Sequence, residues 1–115
     1  MRWSLKGLAI AWQTESSFRL EVWLFVPLAP LALWLGQNGI ERVILIGSML
    51  LVLSAELLNS AIEAVIERYG GEHHELAGRA KDMGSAAVFV LMMNVLLCWG
   101  LLLGPRLMAS GALAH

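Results

Sequence analysis

Apolar positions run through this chain in long blocks, and the polar residues between and within them divide it into four helical stretches. Residues 3–20 mix the two kinds at helical spacing: Trp3, Leu8, Ile10, Trp12 and Phe18 interleave with Lys6, Gln13, Glu15 and Arg19. That pattern predicts an amphipathic helix lying at a membrane surface, with tryptophans at headgroup depth. Residues 21–36 form a first apolar run that contains Pro27 and Pro30. A membrane span needs about 20 residues, so this run is expected to borrow turns from the helix before it. Gln37-Asn38-Gly39 reads as a tight polar turn. Residues 42–67 predict a second span, opened by Arg42 and closed by acidic residues. Residues 68–82 are polar and predict a loop, with Gly70-Gly71 stopping the helix. Residues 83–104 predict a third span ended by Gly104-Pro105, with a frayed tail to His115. No internal repeat or linker divides residues 1–115, so a single membrane domain is expected.

Composition turns this pattern into a membrane protein. The chain has 115 residues, 58% of them apolar and only 15% charged, where a soluble domain carries about 25% charged residues. So small a globule cannot bury that much apolar surface, and a bilayer solves the problem by acting as solvent for it. The net charge of −1 and the lack of a basic face argue against a nucleic-acid partner. Cys98 stands alone in an apolar stretch, so no internal disulfide forms, and no Cys or His spacing suggests zinc. The first 20 residues contain Glu15 and Arg19 and lack a sustained apolar core, so no cleavable signal peptide is expected. Arg2, Lys6, Arg19, Arg68, Arg79 and Lys81 fall on one side of the predicted spans, and Arg42 and Arg106 on the other. Six against two puts the amino terminus and the 68–82 segment in the cytoplasm.

The candidate chemistry lies in the second span. Glu56, Asn59, Glu63 and Glu67 are spaced 3, 4 and 4 and line one stripe of a helix. Ionisable groups inside a membrane are costly and mark a functional site by default. Glu56 should lie about 10 Å deeper than Glu63, from a rise of about 1.5 Å per residue. A shallow carboxylate can share Mg²⁺ with phosphate oxygens, and a deep, poorly solvated one suits the role of general base. Asn59, between them, can hold an orientation by hydrogen bonding. Glu15 is a second shallow candidate, while His73, His74, Lys81 and Asp82 add polar groups, Lys81 as a point charge for phosphate. Glu67, at the interface, fits a simple structural ion pair. Asn94 reads as interhelical hydrogen-bonding glue, and the methionines as packing. No common phosphate-binding loop or protein-kinase signature is present.

Glu56-Leu57-Leu58-Asn59-Ser60-Ala61-Ile62-Glu63 resembles the signature of the small prokaryotic diacylglycerol kinases. His74-Glu75-Leu76, followed by Gly78-Arg79-Ala80-Lys81-Asp82-Met83-Gly84-Ser85-Ala86, is similar to that family's cytoplasmic segment leading into its third helix. Lys6-Gly7-Leu8, Trp12, Glu15, Phe18-Arg19 and Glu21 resemble its amino-terminal surface helix. The likeness runs to about residue 104. It implies an all-α membrane protein with three transmembrane helices and one surface helix, assembled as a homotrimer with active sites shared between protomers at the cytoplasmic face of the bacterial inner membrane. It also implies transfer of the γ-phosphoryl group of MgATP to 1,2-diacylglycerol, giving phosphatidic acid and recycling diacylglycerol. By resemblance the general base falls on Glu56, with Asn59 beside it, and the metal ligands on Glu15 and Glu63. ATP contacts fall on Trp3, Glu15, Glu63, Glu72, His73, His74, Lys81 and Asp82. Lipid contacts fall on Ala9, Ile10, Ala11, Trp12, Ser17, Phe18, Arg19, Leu20, Glu21, Trp34, Leu35, Arg42, Glu56 and Ser85. The chain departs from the family pattern in three places: Glu67 replaces an aspartate, His73 replaces a tyrosine, and the amino terminus is shorter.

Two other readings fit the same residues. An undecaprenol kinase would also present a terminal hydroxyl to a Glu-x-x-Asn-x-x-x-Glu stripe. A small proton-coupled transporter would use buried glutamates as a proton relay; it predicts uptake driven by a proton gradient and no ATP consumption.

Overall fold

The computed structural model describes residues 1–68 and 75–114, with side chains up to Ala109. Its regular structure among those residues is all helix: α1 (Arg2–Thr14), α2 (Ser16–Leu35), α3 (Gly39–Arg68) and α4 (Glu75–Ala114). The last three are each long and apolar enough to cross a membrane. Twenty residues of α2 reach about 30 Å, one hydrocarbon thickness, whereas the 30 residues of α3 reach about 45 Å and must project beyond it. Large apolar side chains such as Trp23, Val43, Leu58, Phe89, Leu96 and Leu101 point outward, as a lipid-embedded surface allows.

The surface helix is shorter than the 3–20 predicted. It ends at Thr14, and Glu15 takes an extended backbone conformation (φ −113°, ψ 106°) before α2 starts at Ser16. The break has a local cause. Arg19 Nη1 donates to the carbonyls of Trp12 (2.7 Å) and Gln13 (3.3 Å), satisfying the carbonyl end of α1. Trp12 also packs against Trp23, ring centroids 6.2 Å apart, tying α1 to α2. Residues 16–20 therefore belong to the first long helix.

The α2–α3 turn carries its own start signal. Asn38 Oδ1 accepts from the Glu41 N–H (2.9 Å), and Glu41 Oε1 accepts from the Gln37 N–H (3.0 Å). This reciprocal arrangement is a capping box shifted by one residue on its return bond. Arg106, from α4, then closes the end of the bundle: Nη2 pairs with Glu41 Oε2 at 2.6 Å, and Nη1 donates to the Leu35 carbonyl at 3.3 Å.

Two further boundaries differ from expectation. Most of the polar 68–82 segment is helical from Glu75 onward, because Glu75, Leu76, Ala77, Arg79, Ala80 and Lys81 are helix-compatible and Glu75 pairs with Arg79 one turn on (2.9 Å). Its polarity kept it out of hydrocarbon, not out of a helix. Gly70 and Gly71 lie outside the described residues. At the other end α4 continues through Gly104-Pro105 to Ala114; the bonds of Arg106 hold the chain direction just past the proline.

The best-buried packing sits toward that same end, where Ala32, Leu45 and Leu103 cluster with Leu35, Ile46, Trp99 and Leu102 around them. Trp99 Nε1 donates to the Leu45 carbonyl at 3.1 Å, and buried Ser48 Oγ donates to it at 2.9 Å. Thus α2, α3 and α4 are pinned together at one end. Their other end is more open and carries the carboxylates.

Candidate active site

Helix α3 delivers Glu56, Asn59 and Glu63 to one side of the bundle, each half-buried, while Glu67 is exposed. From Gly39, Glu56 is about 25 Å and Glu63 about 36 Å along the helix, so the stripe passes from hydrocarbon depth to the headgroups. The break at Glu15 brings a third carboxylate to Glu56 and Glu63: Glu15 and Glu63 are the charges that act on Glu56. Glu21, less than two turns into α2, is a fourth, close enough for the Glu56 charge to act on it. Neither ion pair among the described residues involves any of the four.

Oxygens in this cluster are buried without hydrogen-bond partners, namely Glu21 Oε2, Glu56 Oε2 and Asn59 Oδ1. Burying such atoms unpaired costs about 1–3 kcal/mol each and more for a charge. Asn59 Nδ2 donates to Glu63 Oε1 at 3.3 Å, which fixes one carboxylate oxygen of the stripe. Below Glu21 opens an apolar cavity of about 340 Å³ between α2, α3 and α4, with Leu24, Phe25, Met49, Val52 and Met92 among its walls and Glu21 as its one charged lining residue. A second cavity, of about 540 Å³, separates α1 from α3 and ends at Glu15. The arrangement therefore joins acids that form no ion pair among the described residues to an apolar slot headed by Glu21.

The sequence pattern of prokaryotic diacylglycerol kinases matches residues 2–103. A diacylglycerol kinase of Haemophilus influenzae is 50% identical over 99 residues, covering 86% of this chain and 84% of the relative. That of Escherichia coli is 50% identical over 101 residues, 88% of this chain and 83% of the relative, and that of Pseudomonas aeruginosa is 45% identical over 101 residues, 88% and 82%. The chain belongs to the prokaryotic diacylglycerol kinase family. It is a kinase, hence an ATP-using enzyme, and its three long apolar helices make it a membrane protein.

The structure of this kinase gathers some of the residues read from sequence and scatters others. Glu15, Glu56, Asn59 and Glu63 come together. On α1, Ala9, Ile10 and Trp12 are exposed and Ala11 is buried, while Trp3 stands exposed at the helix start. On α2, Phe18 is buried, Ser17 and Leu20 are exposed, and Arg19 is committed to the end of α1. Lys81, Asp82 and Ser85 are exposed on the first turns of α4. Trp34, Leu35 and Arg42 lie at the opposite end of the bundle, where Arg42 Nε donates to the Leu33 carbonyl at 3.0 Å. Arg42 is about 21 Å along α3 from Glu56, so a single chain does not bring the two together. Glu72, His73 and His74 fall outside the described residues. Glu21, expected among the lipid contacts, is a half-buried acid within reach of the Glu56 charge; the sequence did not mark the two as neighbours, although an acid at the head of an apolar run meets the same criterion that singled out Glu56.

The acids also fit Mg²⁺. Among the described residues no three His, Cys, Asp or Glu side chains converge as a ready metal cage. Mg²⁺ rarely needs one, since it favours one or two carboxylates together with substrate phosphates and water. Glu15 and Glu63, which form no ion pair among the described residues and lie within reach of the Glu56 charge, are the donor set such sharing requires.

Proposed function

We propose that this kinase transfers the γ-phosphoryl group of MgATP to the primary hydroxyl of 1,2-diacylglycerol, giving ADP and phosphatidic acid and so recycling diacylglycerol into phospholipid. The observation that carries the reading is the unpartnered Glu56 Oε2 beside Glu21, the acid at the head of an apolar cavity. Glu56 takes the proton of the lipid hydroxyl as its oxygen attacks phosphorus. Glu21 accepts a hydrogen bond from the glycerol headgroup and holds that hydroxyl toward Glu56. One acyl chain lies along the apolar slot, and the rest of the lipid stays in the bilayer. Glu15 and Glu63 would hold Mg²⁺, which would supply charge neutralisation for the phosphates. Asn59 orients Glu63, and Lys81 offsets further phosphate charge. Positioning and charge stabilisation are the main levers in phosphoryl transfer, and this site supplies both.

The enzyme works in the bacterial inner membrane with its amino terminus and site toward the cytoplasm, following the Lys and Arg asymmetry. It acts as a homotrimer with shared sites. Support comes from Asp82: Gly84 faces α3 of its own chain, and two residues on a helix lie about 160° apart, so Asp82 faces away from that chain's own acids. Mixing two inactive variants, Glu56→Gln and Asp82→Asn, checks this. Random assembly should restore about a quarter of wild-type activity, the fraction of interfaces with both side chains intact. No recovery would mean that each chain completes its own site.

The decisive assay is ATP-dependent phosphorylation by the detergent-solubilised protein of a lipid-alcohol panel. Diacylglycerol should be the preferred acceptor. Preference for undecaprenol would reassign the substrate, and no phosphorylation of any lipid would overturn the reading.

A further inference from the structure

Gly84 is buried where α4 meets the stripe on α3. A Cβ at that position would overlap Asn59 Oδ1, would lie 3.3 Å from Asn59 Cγ, and would meet Ile62 Cδ1 only at an ordinary 3.5 Å. The conflict is therefore with the Asn59 amide, not with the backbone of α3. That amide has one donated bond, from Nδ2 to Glu63 Oε1, while its oxygen is buried and unpartnered. An amide with a free choice would turn its oxygen toward a donor. This one keeps its nitrogen on Glu63 and places its oxygen in the space a side chain at residue 84 would occupy.

We propose that Gly84 is a positioning residue: the missing side chain on α4 seats the Asn59 amide, and the seated amide orients Glu63. The idea rests on the reading above that Asn59 and Glu63 serve phosphoryl transfer. The seat is specific to glycine because even a methyl group fills it. The same stretch of α4 carries Lys81, so helix α4 sets the α3 carboxylate and presents the phosphate-facing cation as one rigid unit.

A double-mutant cycle tests it. Gly84→Ala should lower kcat by about as much as Asn59→Ala, on the order of tenfold to a hundredfold, the scale of a displacement near 1 Å in a catalytic array. In the Asn59→Ala background, where the colliding atoms are gone, Gly84→Ala should cost less than about twofold more, because coupled residues are non-additive. If Gly84→Ala alone does not fold, the double variant carries the test: it should fold and work at the Asn59→Ala rate. A second readout needs neither substrate nor metal. The Asn59 side-chain amide signals in ¹H–¹⁵N spectra of the ligand-free protein should move in Gly84→Ala. Additive losses, or unmoved Asn59 amide signals, would overturn the proposal. Asn59→Ala at the wild-type rate would overturn it too, while leaving the kinase reading intact, since that reading is decided by the lipid panel.

Discussion

Replacing Glu56 by glutamine should abolish most catalysis without harming the fold. The two side chains are nearly isosteric, but the amide cannot accept the hydroxyl proton. General-base catalysis is worth 10²–10⁴-fold, so kcat should fall by about 10³-fold while KM for ATP changes little. Stability should go the other way. The Glu56 charge sits near those of Glu15, Glu21 and Glu63, with no cation paired to it among the described residues, and removing it relieves like-charge repulsion and the burial of a charge. Glu56→Gln should therefore unfold at the wild-type temperature or above it. A site that trades stability for chemistry behaves in this way. Near-normal turnover in this variant would remove Glu56 from the base role. Loss of activity together with loss of the folded state would leave a structural role as the better account.

Arg106→Ala should give the opposite result, a protein that is unstable but catalytically competent while folded. Arg106 joins α4 to both helices of the α2–α3 turn, through Glu41 Oε2 at 2.6 Å and the Leu35 carbonyl at 3.3 Å. The Glu41 side chain is only 17% exposed. Truncating the arginine leaves Glu41 Oε2 without its partner and frees a carbonyl at the end of α2, which should lower the unfolding midpoint. Removing Glu41 as well should recover part of the loss, because a charge left without its partner costs more than an absent pair. Glu41 is about 22 Å along α3 from Glu56. Turnover per folded enzyme should accordingly stay within about twofold of wild type, as expected for sites too distant to couple. Unfolding titrations in mixed micelles measure the stability change. An unchanged midpoint would show that solvent already screens this pair, as it does for most surface pairs.

These two residues also show what a sequence reveals. Glu56 was legible because depth and charge conflict along one helix, and that conflict is written in the order of residues. Arg106 was not, since its value depends on Glu41, 65 positions away. Glu21 lies between these cases. Its acid in an apolar run was visible, but its neighbour Glu56 sits on another helix. The polar segment from Glu75 was misread as loop because hydropathy reports depth in the membrane, and depth and secondary structure are separate properties.

By itself, the sequence determined that this is a helical membrane protein with three long apolar helices and an acidic stripe on the second. Hydrophobic runs and 3.6-residue periodicity are local, and a bilayer forces such runs into helices by leaving their backbone groups no other partner. Only the tertiary structure decided that α1 breaks at Glu15, that Glu21 joins the acids, and that Asn59 rests on Gly84. Each of these depends on where one helix surface meets another. Helix contacts are made by side chains far apart in the chain, so no local pattern encodes which of them touch.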